Sequence, residues 1–327
     1  MEKINIAALA EMCKVSPSTV SRVLNDKSNV KPETREMILE AAARLNYSPQ
    51  QTARREIIPI IATMRSQMEP PSWFATVLLN ALINEIDEAG FTPRLVTMAE
   101  LNKIKPNFTM AAVNMAWTES EQTWKQLTAL DLPMININIM KTGFHCVCFD
   151  HAEATSMAVK YLAAHGHRRI AHLDVPFKGW GTIQRRLGFE MAMNELNLPV
   201  MNDMFTVCDS SASMSRDLLA KMLDNFQPTA IVSLHEDWIM PLYSLLQSLG
   251  LKIGEDISII TSELPHLCQY LYPGITTVAQ DFKQMAKAVV EHILLMSDKP
   301  EMARRTISQV MECHFIERQS VKDMSNH

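Results

Sequence analysis

Apolar residues in the first fifty-six positions recur at helical spacing and divide that stretch into short helices. Ile6, Leu9 and Ala10 share one face of a first helix, capped by Asn5. Cys13-Lys14-Val15 reads as a three-residue turn. Ser16 then serves as an N-cap and Pro17 takes the first helical position, where a missing N–H costs nothing. Val20, Val23 and Leu24 fall on one face of this second helix, while Pro17, Ser18, Ser21 and Arg22 fall on the other. A bare, hydroxyl-rich face with one fork-shaped cation suits a DNA major groove. The spacing is that of a helix–turn–helix. Pro32 opens a third helix with an apolar stripe at Thr34, Met37, Ile38, Ala41 and Leu45. Ser48-Pro49-Gln50-Gln51 reads as a capping box beginning a very short helix that ends near Arg55.

From Ile57 the pattern changes to apolar runs alternating with helical stripes. Strands are expected at Ile57 to Met64, Leu95 to Thr97, Ala111 to Val113, Met134 to Ile137 and Cys146 to Phe149. The second half predicts strands at Arg169 to Val175, Phe205 to Cys208, Ala230 to Leu234 and Ile257 to Thr261. Helices run between them: Trp73 to Ala89, Ser120 to Leu130, Ala152 to His165, Gln184 to Leu196, Ser213 to Asn225, Trp238 to Leu249 and Asp281 to Met296. Such alternation predicts an α/β body with two parallel sheets, joined by crossing segments into two hinged lobes. The expected division is a head at 1–56 and a body at 57–327. The first lobe takes about 57–165 and 280–309, the second about 166–279 and 310–320. The first lobe is abbreviated, because Ala99 to Met110 is too short for the usual crossover helix and its loops.

Charge sharpens this division. The chain of 327 residues carries a net charge of −5, which looks wrong for a DNA binder. Residues 1–56 hold nine Lys/Arg and seven Asp/Glu, a net of +2, leaving −7 for the rest, so only the head should approach phosphates. No apolar run is long enough to span a bilayer, and the N-terminus lacks a signal-peptide core, which predicts a cytoplasmic protein without membrane contact. Six irregularly spaced cysteines fit reduced, buried thiols. Cys146 and Cys148 share a strand face and raise the alternative of a DNA-binding metal or redox sensor, but core packing is favoured for them. No Gly-x-Ser-x-Gly, His-Glu-x-x-His or phosphate-binding glycine loop appears, so no enzyme, cofactor or metal is expected.

The run Ser16-Pro17-Ser18-Thr19-Val20-Ser21-Arg22-Val23-Leu24-Asn25, with Leu45-Asn46-Tyr47-Ser48-Pro49 and Ala53-Arg54, resembles the LacI/GalR family of bacterial transcription regulators. The likeness continues through Ala163 to Ala171, Gly254 to Ile260 and Pro273 to Asp281. It implies a helix–turn–helix head on a periplasmic-binding-protein-like body. DNA contacts would then come from Asn5, Ser16, Pro17, Ser18, Thr19, Ser21, Arg22 and Asn25. Tyr47, Ala53, Arg54 and Arg55 would add contacts from the hinge. The head and hinge depart from the pattern in three places. Ala8 replaces the usual Asp, Lys14 replaces a turn Gly and so risks left-handed strain, and Glu56 replaces the leucine that wedges into the minor groove. Pro59 belongs at the start of the first strand.

Ligands of open α/β folds sit beyond the carboxyl ends of the strands. Arg185, in Arg185-Arg186-Leu187-Gly188-Phe189, matches a family effector position, as do His235, Glu236 and Glu263 at strand ends. A guanidinium with acceptor carboxylates can clasp vicinal hydroxyls, and Trp238 or Trp73 can stack on a sugar's C–H face. The expected function is a homodimeric repressor of a carbohydrate-utilisation operon. It would bind a pseudo-palindromic operator and be relieved by a sugar effector. A sugar-binding protein with a weakened head is the remaining alternative.

Overall fold

The computed structural model describes residues 6–24, 30–44, 57–62, 72–117, 120–175, 179–207, 212–298, 301 and 305–325. The head consists of α1 (Ile6–Met12), α2 (Pro17–Leu24) and α3 (Pro32–Arg44) around Leu9, Val20, Val23, Leu24 and Ile38. Ser16 accepts the Thr19 backbone N–H at 3.1 Å, the N-cap that the sequence predicts. Helix α1 closes with the Val15 N–H on the Ala10 carbonyl and the Lys14 N–H on Glu11. That closure requires a left-handed residue, and Lys14 supplies it at φ 50° without being glycine. In α3, Ala42 is buried and Met37 is exposed, so the apolar stripe is rotated from the one expected.

The body follows the expected alternation. Its first half runs β1 (Ile57–Ala62), α4 (Trp73–Glu88), β2 (Thr92–Thr97), β3 (Ala112–Met115), α5 (Glu121–Thr128), β4 (Met134–Ile137), β5 (His145–Phe149) and α6 (His151–Ala164). The second half runs β6 (Ile170–Asp174), α7 (Trp180–Glu195), β7 (Phe205–Val207), α8 (Ala212–Phe226), β8 (Ala230–Ser233), α9 (Ile239–Ser248), β9 (Ser258–Ser262), β10 (Thr276–Ala279), α10 (Phe282–Asp298), β11 (Ser308–Met311) and β12 (His314–Ile316). Only two short 3-10 turns, Met98–Lys103 and Pro106–Phe108, join β2 to β3, which is the abbreviation read from the sequence. Pro59 sits in mid-strand rather than at the start, paired with Arg94 of β2, while the ladder to β3 begins at Ile60.

One sheet has the order β11-β5-β4-β3-β1-β2 and is parallel throughout. The other has the order β12-β10-β9-β8-β6-β7 and is parallel except for β12. Strands β3, β4, β5, β6, β8 and β9 are buried along their whole length, as parallel strands covered by helices on both faces must be. The chain passes between the sheets at Asp150-His151, at Gln280-Asp281 and at Glu312-Cys313, so α6 packs with the second lobe and the first lobe ends near 150 rather than at about 165. A continuous apolar core runs from Ile58 and Phe149 on one side to Ile231 and Ile260 on the other.

Candidate functional site

The site is built at the first crossing. Asp150 caps α6 by accepting the Glu153 N–H at 2.9 Å, which leaves His151 as the first helical residue. Helix α7 is brought against this point by Gly188, where a Cβ would stand 2.0 Å from the Ala152 carbonyl oxygen. No side chain fits there, so the glycine of the Arg-x-x-Gly-Phe run is a packing requirement. The close approach delivers Arg185, one turn earlier, to His151. A Cβ at Gly181 would stand 3.2 Å from His151 Nε2 and 3.5 Å from Arg185 Nη1.

Around these two stand Asp174, ending β6, and His235, just beyond β8. His235 Nε2–H donates to Asp174 Oδ1 at 3.2 Å, and Asp174 also accepts the Val175 N–H at 2.9 Å. Trp180 meets the His151 ring edge-on at 5.6 Å between centroids. Burial holds His151 neutral, its pKa well below the usual range, with the charges of Arg185 and His235 acting in the same direction. His235 is pushed down to about 4, again by burial first and then by Arg185. Asp174 stays below the ordinary carboxylate range, because its partners outweigh the burial that pushes it up. Cys313, on the third crossing, is a buried thiol pushed up to about 12, chiefly by burial. Arg185 is attracted by Glu236 and Asp174, although burial itself works against its charge.

Buried polar atoms left without a hydrogen-bond partner include Arg185 Nε, His151 Nδ1, Ser233 Oγ at the end of β8, and Gln280 Oε1 on the second crossing. Unsatisfied buried polar groups are rare in folded proteins, and His172 and His292 carry others of the kind. The structure adds His151, Asp174 and Gln280 to the residues that the sequence offered. Asp174 was open to discovery, since it is the polar residue closing an apolar strand, as His235 does. His151 and Gln280 were hidden, because nothing local marks a crossing.

Other expected residues divide. Glu236 opens a 3-10 turn, Glu236–Trp238, and α4 of the first lobe packs against this turn. Trp73, at the head of α4, is half-buried and edge-on to Phe282 at 5.8 Å, in an aromatic cluster with Phe74 and Trp117. Trp238 is a correction: it is 4% exposed and belongs to the core, so its indole presents no face to a ligand. Glu263 is a second correction. Its carboxylate is gripped by Arg318 at 2.8 and 3.1 Å and by the Thr277 hydroxyl, so most of its acceptor capacity is spent within the second lobe. Cys146 and Cys148 lie buried in β5, with Cys148 pushed up to about 12 by burial and then by Cys146. Such thiols are poor thiolates.

On the head, Ser16, Pro17, Ser18 and Arg22 are exposed, and Thr19 and Ser21 are half-buried. Asn5, Asn25, Tyr47, Ala53, Arg54 and Arg55, together with Glu56 of the hinge, lie outside the described residues.

Residues 5–50 match the family model for bacterial regulatory proteins of the lacI family, and residues 159–321 match a periplasmic binding protein-like domain. The HTH-type transcriptional repressor PurR of Histophilus somni (strain 129Pt) is 30% identical over 301 residues, spanning 84% of this chain and 86% of that protein. The lactose operon repressor of Escherichia coli (strain K12) is 24% identical over 315 residues, spanning 91% and 86%. Among solved structures, a transcriptional regulator CelR–cellobiose complex superposes with a TM-score of 0.73 at 18% identity, over 97% of this chain and 99% of that one. A lac repressor dimer bound to operator and the anti-inducer ONPF gives a TM-score of 0.69 at 21% identity, over 98% and 100%. A capped recognition helix on a three-helix head, a two-lobed parallel body and near full-length similarity to a curated repressor agree: the chain belongs to the lacI family of DNA-binding transcriptional regulators.

Proposed function

We propose that this regulator represses a carbohydrate-utilisation operon and leaves its operator when a small sugar binds between the lobes. One observation carries the reading: Arg185, His151, Asp174 and His235 form a buried polar group at the carboxyl ends of β6 and β8, against the crossing that joins the lobes. A ligand seated there touches the hinge, so its differential affinity for two lobe angles shifts their populations. Guanidinium, imidazole and carboxylate together suit hydroxyl groups, and Trp180 or Trp73 offers an aromatic edge to a sugar ring. The cellobiose complex of CelR and the lactose operon repressor, both sugar-linked by name, support this class of ligand.

The head reads DNA through the exposed face of α2, with Arg22 and Ser18 as base-reading candidates. One short helix reads few bases, so the protein acts as a homodimer on a pseudo-palindrome. The domain division at residue 56 belongs to the same proposal: the head moves as one body, placed by the lobes.

The test uses the full-length chain and an operator selected from genomic fragments. Cellobiose, lactose, galactose and glucose are added in turn. The reading expects one of them to weaken operator binding by about tenfold or more, within the usual range of coupling. Arg185→Ala should bind the operator as tightly as wild type and ignore the sugar. A sugar that releases Arg185→Ala as well as wild type contradicts the site, and an absence of any selected fragment contradicts the function.

A further inference from the structure

Exposed apolar surface is concentrated on one flank of the second lobe. Of the seventeen large apolar side chains exposed among the described residues, seven fall between Ile183 and Val207, so they form a patch rather than a scatter. Ile183, Leu187 and Met191 are 53%, 42% and 50% exposed and stand four residues apart, which sets them in a stripe down one side of α7. The other side of the helix carries the buried Phe189, Ala192 and Met193. Among the described residues, α6 and β6 pack against this inner side and the stripe is left open. A helix that is apolar on both sides calls for cover on both.

The charges beside the stripe show what covers it. Arg186 and Glu190 line one border, a turn apart. Arg186 Nε donates to Glu190 Oε1 at 2.9 Å, and its guanidinium lies over the Phe205 ring of β7, 3.8 Å from the centroid. Among the described residues this pair engages only Nε, so the two terminal amino groups of the fork remain for a second carboxylate. A second copy of α7, run antiparallel about a two-fold axis at Leu187, supplies one. Ile183 then meets Met191 of the second copy, Leu187 meets its own equivalent, and each Arg186 comes beside the Glu190 of the opposite helix. A parallel pairing would set like charges side by side.

We propose that this flank joins two operator-binding dimers into a tetramer through antiparallel α7 helices. The assembly builds on the homodimer proposed above and adds one contact to it. The flank belongs to the second lobe, whereas the head enters the body through β1 of the first. Association at the flank therefore leaves both pairs of heads able to read separate operators, and one assembly can hold two DNA sites. A contact made by a few side chains falls at the weak end of specific interfaces, so the tetramer forms in the micromolar range.

Sedimentation velocity of the full-length protein across that range tests the assembly, with and without a short duplex carrying one selected operator. Wild type should pass from dimer to tetramer as its concentration rises. Leu187→Glu should weaken this step by about tenfold or more and bind the single operator like wild type, which separates loss of contact from loss of fold. Arg186→Glu and Glu190→Arg dimers should each associate about tenfold more weakly, since like charges then meet across the axis. Dimers of the two variants mixed together should recover most of the loss. Opposite charges meet again between the copies, while the pair within each helix stays broken. A mixture that associates no better than its components overturns the antiparallel pairing. A Leu187→Glu protein that associates like wild type overturns the flank. Wild type that stays dimeric throughout overturns the tetramer and leaves the homodimer standing, whereas wild type that stays monomeric overturns both.

Discussion

His172 offers a quantitative test of how the second lobe is built. It lies on β6, fully buried, with both ring nitrogens unpartnered and its ring edge-on to Phe189 at 5.3 Å. Burial pushes it from an ordinary 6.5 down to about 4; Asp174 opposes this, while His235, Arg185 and Arg186 reinforce it. The folded state therefore binds fewer protons than the unfolded chain, and stability must fall as the pH drops through the window between those values. For a single group so placed, the loss between about pH 7 and about pH 5 is about 2 kcal/mol. His172→Leu removes that contribution. At neutral pH it also removes two orphaned polar atoms, a gain of about 1–3 kcal/mol, against roughly 1 kcal/mol of lost aromatic contact. The variant should therefore be about 1 kcal/mol more stable than wild type at neutral pH and about 3 kcal/mol more stable near pH 5. Urea unfolding followed by circular dichroism across this range measures both. Parallel curves for the two proteins, with no widening gap in acid, would refute the reasoning.

Three further outcomes follow from single contacts. Gly188→Ala forces a Cβ to within 2.0 Å of the Ala152 carbonyl, so α7 must move; thermal unfolding should show a loss of about 3 kcal/mol, and effector response should vanish with the displaced Arg185. Arg318→Ala strands the half-buried Glu263 carboxylate and should destabilise the second lobe by about 3 kcal/mol, while Arg318→Ala with Glu263→Gln should recover part of this in a double-mutant cycle. Arg22→Ala should cost about 1–3 kcal/mol on the selected operator and much less on random DNA, as read by fluorescence anisotropy.

Much of this architecture was legible in the chain, for identifiable reasons. Buried parallel strands are continuous apolar runs, so β1, β4 and β8 announced themselves. Ser16 and Pro17 fixed the start of α2 by local chemistry. Strands β11 and β12 escaped because Ser308-Gln309-Val310-Met311 and His314-Phe315-Ile316 are short, mixed segments held by partners far away in sequence. Helix α7 begins at Trp180, a turn before the periodic stripe, because Gly179 and Gly181 read as loop. The site was half visible. Arg185 and His235 stand where strand-end logic places them, but the partner that takes Glu263 is Arg318, 55 residues on, and no local pattern reveals it. Trp238 follows three polar residues and offers a stacking ring in the sequence, yet it is turned inward into the core. His151 gains its meaning only from the glycine that lets α7 approach it.

The central claim is that the cleft around Arg185 and the operator-reading head are energetically coupled. The most direct measurement is effector affinity, by calorimetry, for the full-length protein free and saturated with operator. Linkage requires that the factor by which effector weakens operator binding, about 5–150-fold for couplings of ordinary size, reappears as the factor by which operator weakens effector binding. The account predicts equal factors in wild type. Effector that binds with the same affinity on and off DNA would contradict it.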